Sequence, residues 1–154
     1  MTSLLLGVVG AALLVAGPIM IARGVTGRRT IRAELADQKI VFPDEGGELP
    51  AGLARYAGVR VTTGTQAQAF ADLIGQHVAQ ATAGRTYSQV VDEWQATGRS
   101  DERLARLRQT AFMGQTLRGS LLGAYQAWQI TTLVIGLGAL LAATGLGFLT
   151  LAAT

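Results

Sequence analysis

Residues 130–153, ITTLVIGLGALLAATGLGFLTLAA, contain no ionisable side chain. At about 1.5 Å per residue, a helix of this length reaches about 36 Å, enough to cross a hydrocarbon core with some tilt. Residues 4–25, LLLGVVGAALLVAGPIMIARGV, form a second apolar block, charged only at Arg23 near its end, that reaches about 30 Å. Every Lys, Arg, Asp, Glu and His lies between Arg23 and Arg118. This segregation predicts a mainly α fold, a hairpin of two transmembrane helices enclosing a small, mostly helical polar domain. The expected organisation is residues 1–27 as the first span, 28–118 as the polar domain, and 119–154 as the lead-in to the second span and the span itself.

A secretory signal peptide begins with a basic segment, carries a shorter apolar stretch and closes on a small-residue cleavage site. Here the basic cluster follows the first block, so an uncleaved span is expected. Pro18 removes one backbone donor from that helix and predicts a bend. In the second block, Gly138 with Ala142 and Ala143 with Gly147 give small-xxx-small spacings that let another helix approach closely. The nearest partner for that face is the first block, with Gly7, Gly10 and Gly17.

The formal net charge of +3 does not imply nucleic acid, because the bases are not gathered on a patch interleaved with aromatics. They flank the spans. Arg23, Arg28 and Arg29 follow the first block, Arg118 precedes the second, and Tyr125 and Trp128 stand where amphipathic rings favour the headgroup level. Anionic lipid headgroups are the expected partner for this membrane-interface set. The positive-inside rule favours a cytoplasmic polar domain, but it weakens for a loop of roughly 90 residues. The absence of cysteine fits either compartment.

Within the polar domain, residues 28–38 continue the first helix, residues 43–50 form a turn-rich acidic loop, and residues 39–42 and 56–62 offer a short β-ribbon. A ribbon of two strands needs a helix to pack on. Residues 65–83 supply one, with Phe70, Leu73, Ile74, His77, Val78 and Ala81 on one face and Thr65 with Gln68 as a capping box. Thr86 with Gln89 opens a second helix over residues 87–96, closed by Gly98. A third begins at Asp101 with Ser100 as N-cap and Leu104, Leu107, Ala111, Leu117, Leu121 and Tyr125 as its inner stripe.

One histidine and no cysteine leave too few donors for a zinc or non-haem iron centre, so no metal or cofactor is implied. The acidic pairs 44/45, 92/93 and 101/102 are sequence neighbours, which diverge on a helix. No Walker A loop and no Gly-x-Ser-x-Gly elbow occurs, and the glycines at 145 and 147 lack the preceding strand of a dinucleotide fingerprint. His77 is the side chain suited to a general base or pH sensor, and a pocket around His77, Tyr87 and Trp94 is the expected ligand site if there is one.

Residues 81–89 (ATAGRTYSQ), Trp94 and residues 108–122 (RQTAFMGQTLRGSLL) resemble a family of small actinobacterial membrane proteins of unknown function. The resemblance covers most of the chain and implies two spans around a polar domain outside the cytoplasm. Many members carry the automatic label "aromatic ring-opening dioxygenase LigA". That chemistry needs iron held by two histidines and a carboxylate, which a chain with one histidine does not provide. The combined expectation is a non-enzymatic, two-span protein of the cell membrane. It would serve as an accessory, scaffold or interaction subunit, with a membrane-protein partner or a second copy of itself. The alternative is a ligand- or pH-sensing membrane module.

Overall fold

The computed structural model describes residues 2–44 and 49–153. Among the described residues four α-helices form, α1 (Thr2–Asp37), α2 (Gly64–Thr82), α3 (Tyr87–Ala96) and α4 (Glu102–Ala153), with a 3-10 helix at Ala51–Tyr56. At 36 and 52 residues, α1 and α4 are long and apolar enough to cross a membrane. Both continue past their apolar blocks, and α1 runs unbroken through Pro18. The chain divides into two compact units, Met1–Glu34 with Ala127–Thr154, and Leu35–Gln126. These divisions fall inside α1 and α4, because compactness follows packing whereas limits of 27 and 119 follow hydropathy.

In the first unit, α1 and α4 pack antiparallel through small residues repeating every seven positions. Gly10, Gly17 and Gly24 on α1 are buried, as are Thr131, Gly138 and Gly145 on α4. A Cβ built on Gly10 would lie 2.9 Å from the Gly145 carbonyl oxygen, and one on Gly24 would lie 3.1 Å from that of Thr131. A seven-residue repeat keeps one seam facing its partner along the pair. Gly138 and Ala142 meet Gly17 as expected. Ala143 and Gly147 do not join them. Ala143 is exposed and nothing lies within 4 Å of a Cβ on Gly147, because a heptad register continues from Gly138 to Gly145 and turns residues 143 and 147 outward.

In the second unit, the expected ribbon reduces to one antiparallel bridge, Val41 with Arg60. Phe42 N donates to Val59 O at 3.0 Å and Val61 N to Ile40 O at 2.9 Å, and no strand forms among the described residues. The 3-10 helix takes residues through Tyr56 out of the predicted strand. Residues 45–48 of the acidic loop lie outside the described residues. Phe42 is buried between the rings of Tyr56 and Phe70, at 5.1 and 5.0 Å between centroids, so the bridge is held by the aromatic cluster beneath it.

The helix of residues 65–83 begins one position earlier than expected. Its capping box uses Thr63 and Gln66, with Gln66 N donating to Thr63 Oγ1 at 3.3 Å and Thr63 N to Gln66 Oε1 at 3.0 Å. Thr62 N also donates to Gln66 Oε1, at 2.9 Å, which fixes the choice over Thr65. The box at Thr86 and Gln89 and the limits of α3 agree with the sequence. Asp101, not Ser100, caps α4: its Oδ1 accepts from Arg103 N at 2.8 Å and Leu104 N at 3.0 Å. Val78 of α2 meets α4 at Gly114, and Arg118 of α4 lies along α2 at Gly75, so α2 and α4 run antiparallel. Leu117, expected on the inner stripe, is exposed.

Candidate functional site

At one end of the helical pair of the first unit, Val25, Arg28, Arg29 and Arg32 lie within two turns of α1. Trp128, Thr131, Thr132 and Ile135 lie at i, i+3, i+4 and i+7 on α4, the spacing of one helix face. The two faces meet through Arg28. Its Nη2 donates to Thr132 Oγ1 at 2.6 Å and its Nε to Thr131 Oγ1 at 3.4 Å. Both hydroxyls donate in turn to the Trp128 carbonyl oxygen, at 2.7 and 3.2 Å, which leaves their lone pairs for the guanidinium. The Arg28 guanidinium lies 4.8 Å from the Trp128 ring centre and that of Arg32 lies 6.0 Å away, within cation–π range.

Beside this tie, Val25, Arg28, Arg29, Arg32 and Ile135 line an open pocket of about 290 Å³. No carboxylate of the described residues lines it. The ion pairs among the described residues are Arg85 with Glu93 and Arg106 with Glu102, neither at this site. Three guanidinium groups thus share a pocket with two aliphatic walls and no counter-charge among the described residues. The arrangement suits an anion carried on an apolar body.

The other expected interface residues distribute unevenly. Trp128 is half-buried in the arginine cluster and Arg23 is exposed on α1. Arg118 and Tyr125 belong to the second unit, and the Arg118 side chain is spent on α2, with its Nε 3.1 Å from a Cβ built on Gly75. Arg118 is therefore a packing residue of the polar unit. Its register on the inner face of α4, seven residues beyond Ala111, decides this over its proximity in sequence to the second apolar block.

His77, Tyr87 and Trp94 do not converge on one pocket. His77 lines a shallow apolar groove of about 440 Å³ between α2 and α4, with Ile74, Val78, Ala81, Thr110, Met113 and Gly114. Tyr87 lines a separate depression of about 250 Å³ with Arg108, Gln109 and Phe112. Trp94 packs against the guanidinium of Arg108, 4.3 Å from the ring centre, with that of Arg99 at 5.7 Å. The expected pocket fails because α3 turns Tyr87 and Trp94 toward Arg108, while His77 opens on the groove beside Gly114. The Arg28 tie to the two threonines escaped the sequence reading. Its signal is a Thr-Thr pair at the start of an apolar block, set opposite an arginine by antiparallel pairing.

No family model, curated protein or solved structure matches the chain.

Proposed function

We propose that this chain is a two-span membrane protein that anchors a helical polar unit at the bilayer and serves, without catalysis, as an accessory or scaffold subunit for another envelope protein. The observation that carries the membrane reading is the outward face of the paired helices. Leu4 is 75% exposed and Leu133 72%, with Leu5, Val8, Val15, Ile19, Leu140, Leu146 and Leu151 also exposed. A core helix of a soluble protein buries such residues, whereas a helix in a bilayer turns them to lipid. Ala139, Ala143 and Gly147, each exposed at four-residue spacing on α4, leave a small-residue face for a partner helix or a second copy. The resemblance of residues 81–89 and 108–122 to small two-span membrane proteins supports the same reading and an extracytoplasmic polar unit. The ligand- or pH-sensing alternative rests on the groove that His77 lines between α2 and α4, without Tyr87 and Trp94.

Extraction of native membranes tests the anchoring: the chain stays with the membrane in alkaline carbonate and leaves it only in detergent. Cross-linking followed by mild-detergent purification tests the partner: a second envelope protein or a second copy co-purifies, and recovery of lone chains under several conditions would overturn the scaffold role. Ser88→Cys, at an exposed position of α3, tests sidedness. A membrane-impermeant maleimide labels it in intact cells if the polar unit is extracytoplasmic, and only after lysis if it is not.

A further inference from the structure

We infer that the pocket of Val25, Arg28, Arg29, Arg32 and Ile135 is a binding site for the phosphate of an anionic phospholipid, an inference that rests on the membrane reading above. Position comes first. The apolar run of α1 ends at Val25 and that of α4 begins at Ile130, so Val25 and Ile135 are the apolar margin of the pocket and the arginines its polar margin. In a bilayer this transition coincides with headgroup depth, where basic pockets between spanning helices take anionic headgroups.

The donors are arranged in advance. Arg28 is held by Thr131, Thr132 and the Trp128 ring, and its two hydrogen bonds leave three of its five N–H donors for a ligand. Arg29 and Arg32 stand one and four positions on, exposed and without an ion pair among the described residues. Guanidinium forks match the paired oxygens of a phosphate and bind it through charge-assisted hydrogen bonds. No carboxylate of the described residues lines the pocket, so three like charges share it without a counter-ion there, and an anion removes that repulsion. The volume of about 290 Å³ is at the lower limit for small-ligand pockets, which fits a headgroup phosphate with its first apolar atoms against Val25 and Ile135. A zwitterionic headgroup brings its own cation toward the guanidinium groups and binds less well.

The test uses the full chain in detergent, titrated with phosphatidylglycerol, phosphatidylcholine or inorganic phosphate, and read by native mass spectrometry and thermal shift. Phosphatidylglycerol binds about tenfold or more tightly than phosphatidylcholine, and inorganic phosphate at millimolar concentration does not displace it. Arg29→Gln with Arg32→Gln, both at exposed positions, removes most of that preference without unfolding the chain. Thr131→Val with Thr132→Val weakens it by releasing Arg28, whereas Arg23→Gln, outside the pocket, leaves it intact. Equal affinity for the two lipids overturns the inference, as does a loss on Arg23→Gln equal to that of the pocket variants. Displacement by inorganic phosphate would assign the site to a free anion and overturn the lipid. Release of the chain by alkaline carbonate would sink the membrane reading and this site together, whereas retention without lipid preference would sink this site alone.

Discussion

Gly17 and Gly138 face each other with no side chain between them: a Cβ built on Gly17 would lie 2.6 Å from the Gly138 carbonyl oxygen, and one on Gly138 would lie 2.7 Å from that of Gly17. Neither obstacle is a flexible side-chain tip. Backbone must move to admit even a methyl group, so the close approach of α1 and α4 depends on both glycines. Gly17→Leu and Gly138→Leu are each expected to destabilise the helical pair by about 1 to 3 kcal/mol, the usual range for overpacking. Gly147→Leu, where nothing lies within 4 Å, stays within about 0.5 kcal/mol of wild type. Thermal unfolding in detergent, followed by Trp fluorescence, measures all three, and equal effects would refute the packing register.

The same register predicts a cross-link. A Cβ on Gly7 lies 3.9 Å from Ala152 Cβ, within the range of about 3.5 to 4.5 Å that a disulfide needs. The chain has no native cysteine to compete. Gly7→Cys with Ala152→Cys therefore oxidises readily, and thiol-reactive polyethylene glycol then finds no free thiol. The pairing of Gly7→Cys with Gly147→Cys keeps both thiols, since residue 147 turns away from α1.

At the start of α2, Thr63 and Thr65 both stand three residues before a glutamine, but only Thr63 has its hydroxyl on the helix amides. Thr63→Ala is expected to lower stability by about 1 kcal/mol, and Thr65→Ala, at an exposed position inside the helix, by much less. Thr86→Ala at α3 matches the larger effect. Chemical denaturation of the full chain in detergent separates these outcomes, and a larger loss at Thr65 would reverse the assignment.

The capping ambiguity typifies what the sequence holds. Helix identity and the two long apolar helices are legible because hydropathy, charge exclusion and Thr-x-x-Gln boxes are local signals. Packing register is not. Along α4, Leu104, Ala111, Arg118 and Tyr125 repeat every seven residues, as do Leu107, Gly114 and Leu121. Apolar character alone selects Leu117 for the inner face and leaves out Gly114 and Arg118, although α2 presents Val78 and Gly75 to those two. The arginine pocket was half legible: Arg28, Arg29 and Trp128 stood out as interface residues, but the tie from Arg28 to Thr131 and Thr132 spans more than 100 positions and follows only from antiparallel pairing. β-branched residues near 40 and 60 satisfy a strand pattern, but among the described residues they form a single bridge packed on an aromatic cluster.

Gly114 offers a quantitative check on that register. A methyl group there would overlap Val78 Cγ2, and valine, branched at Cβ, has little rotamer freedom with which to yield. Replacing a helical glycine by alanine gains about 1 kcal/mol in propensity, while overpacking loses about 1 to 3 kcal/mol, so Gly114→Ala is expected to be neutral to about 2 kcal/mol destabilising. Val78→Ala alone removes buried methyl groups and destabilises as well, yet it opens the space that the new methyl needs. The double variant should therefore be more stable than the sum of the single effects predicts, by about 1 kcal/mol, the coupling of residues in direct contact. Thermal unfolding of the four proteins in one detergent gives the cycle. Strict additivity would mean that Val78 does not fill the space above Gly114, and the antiparallel packing of α2 on α4 would lose its central contact.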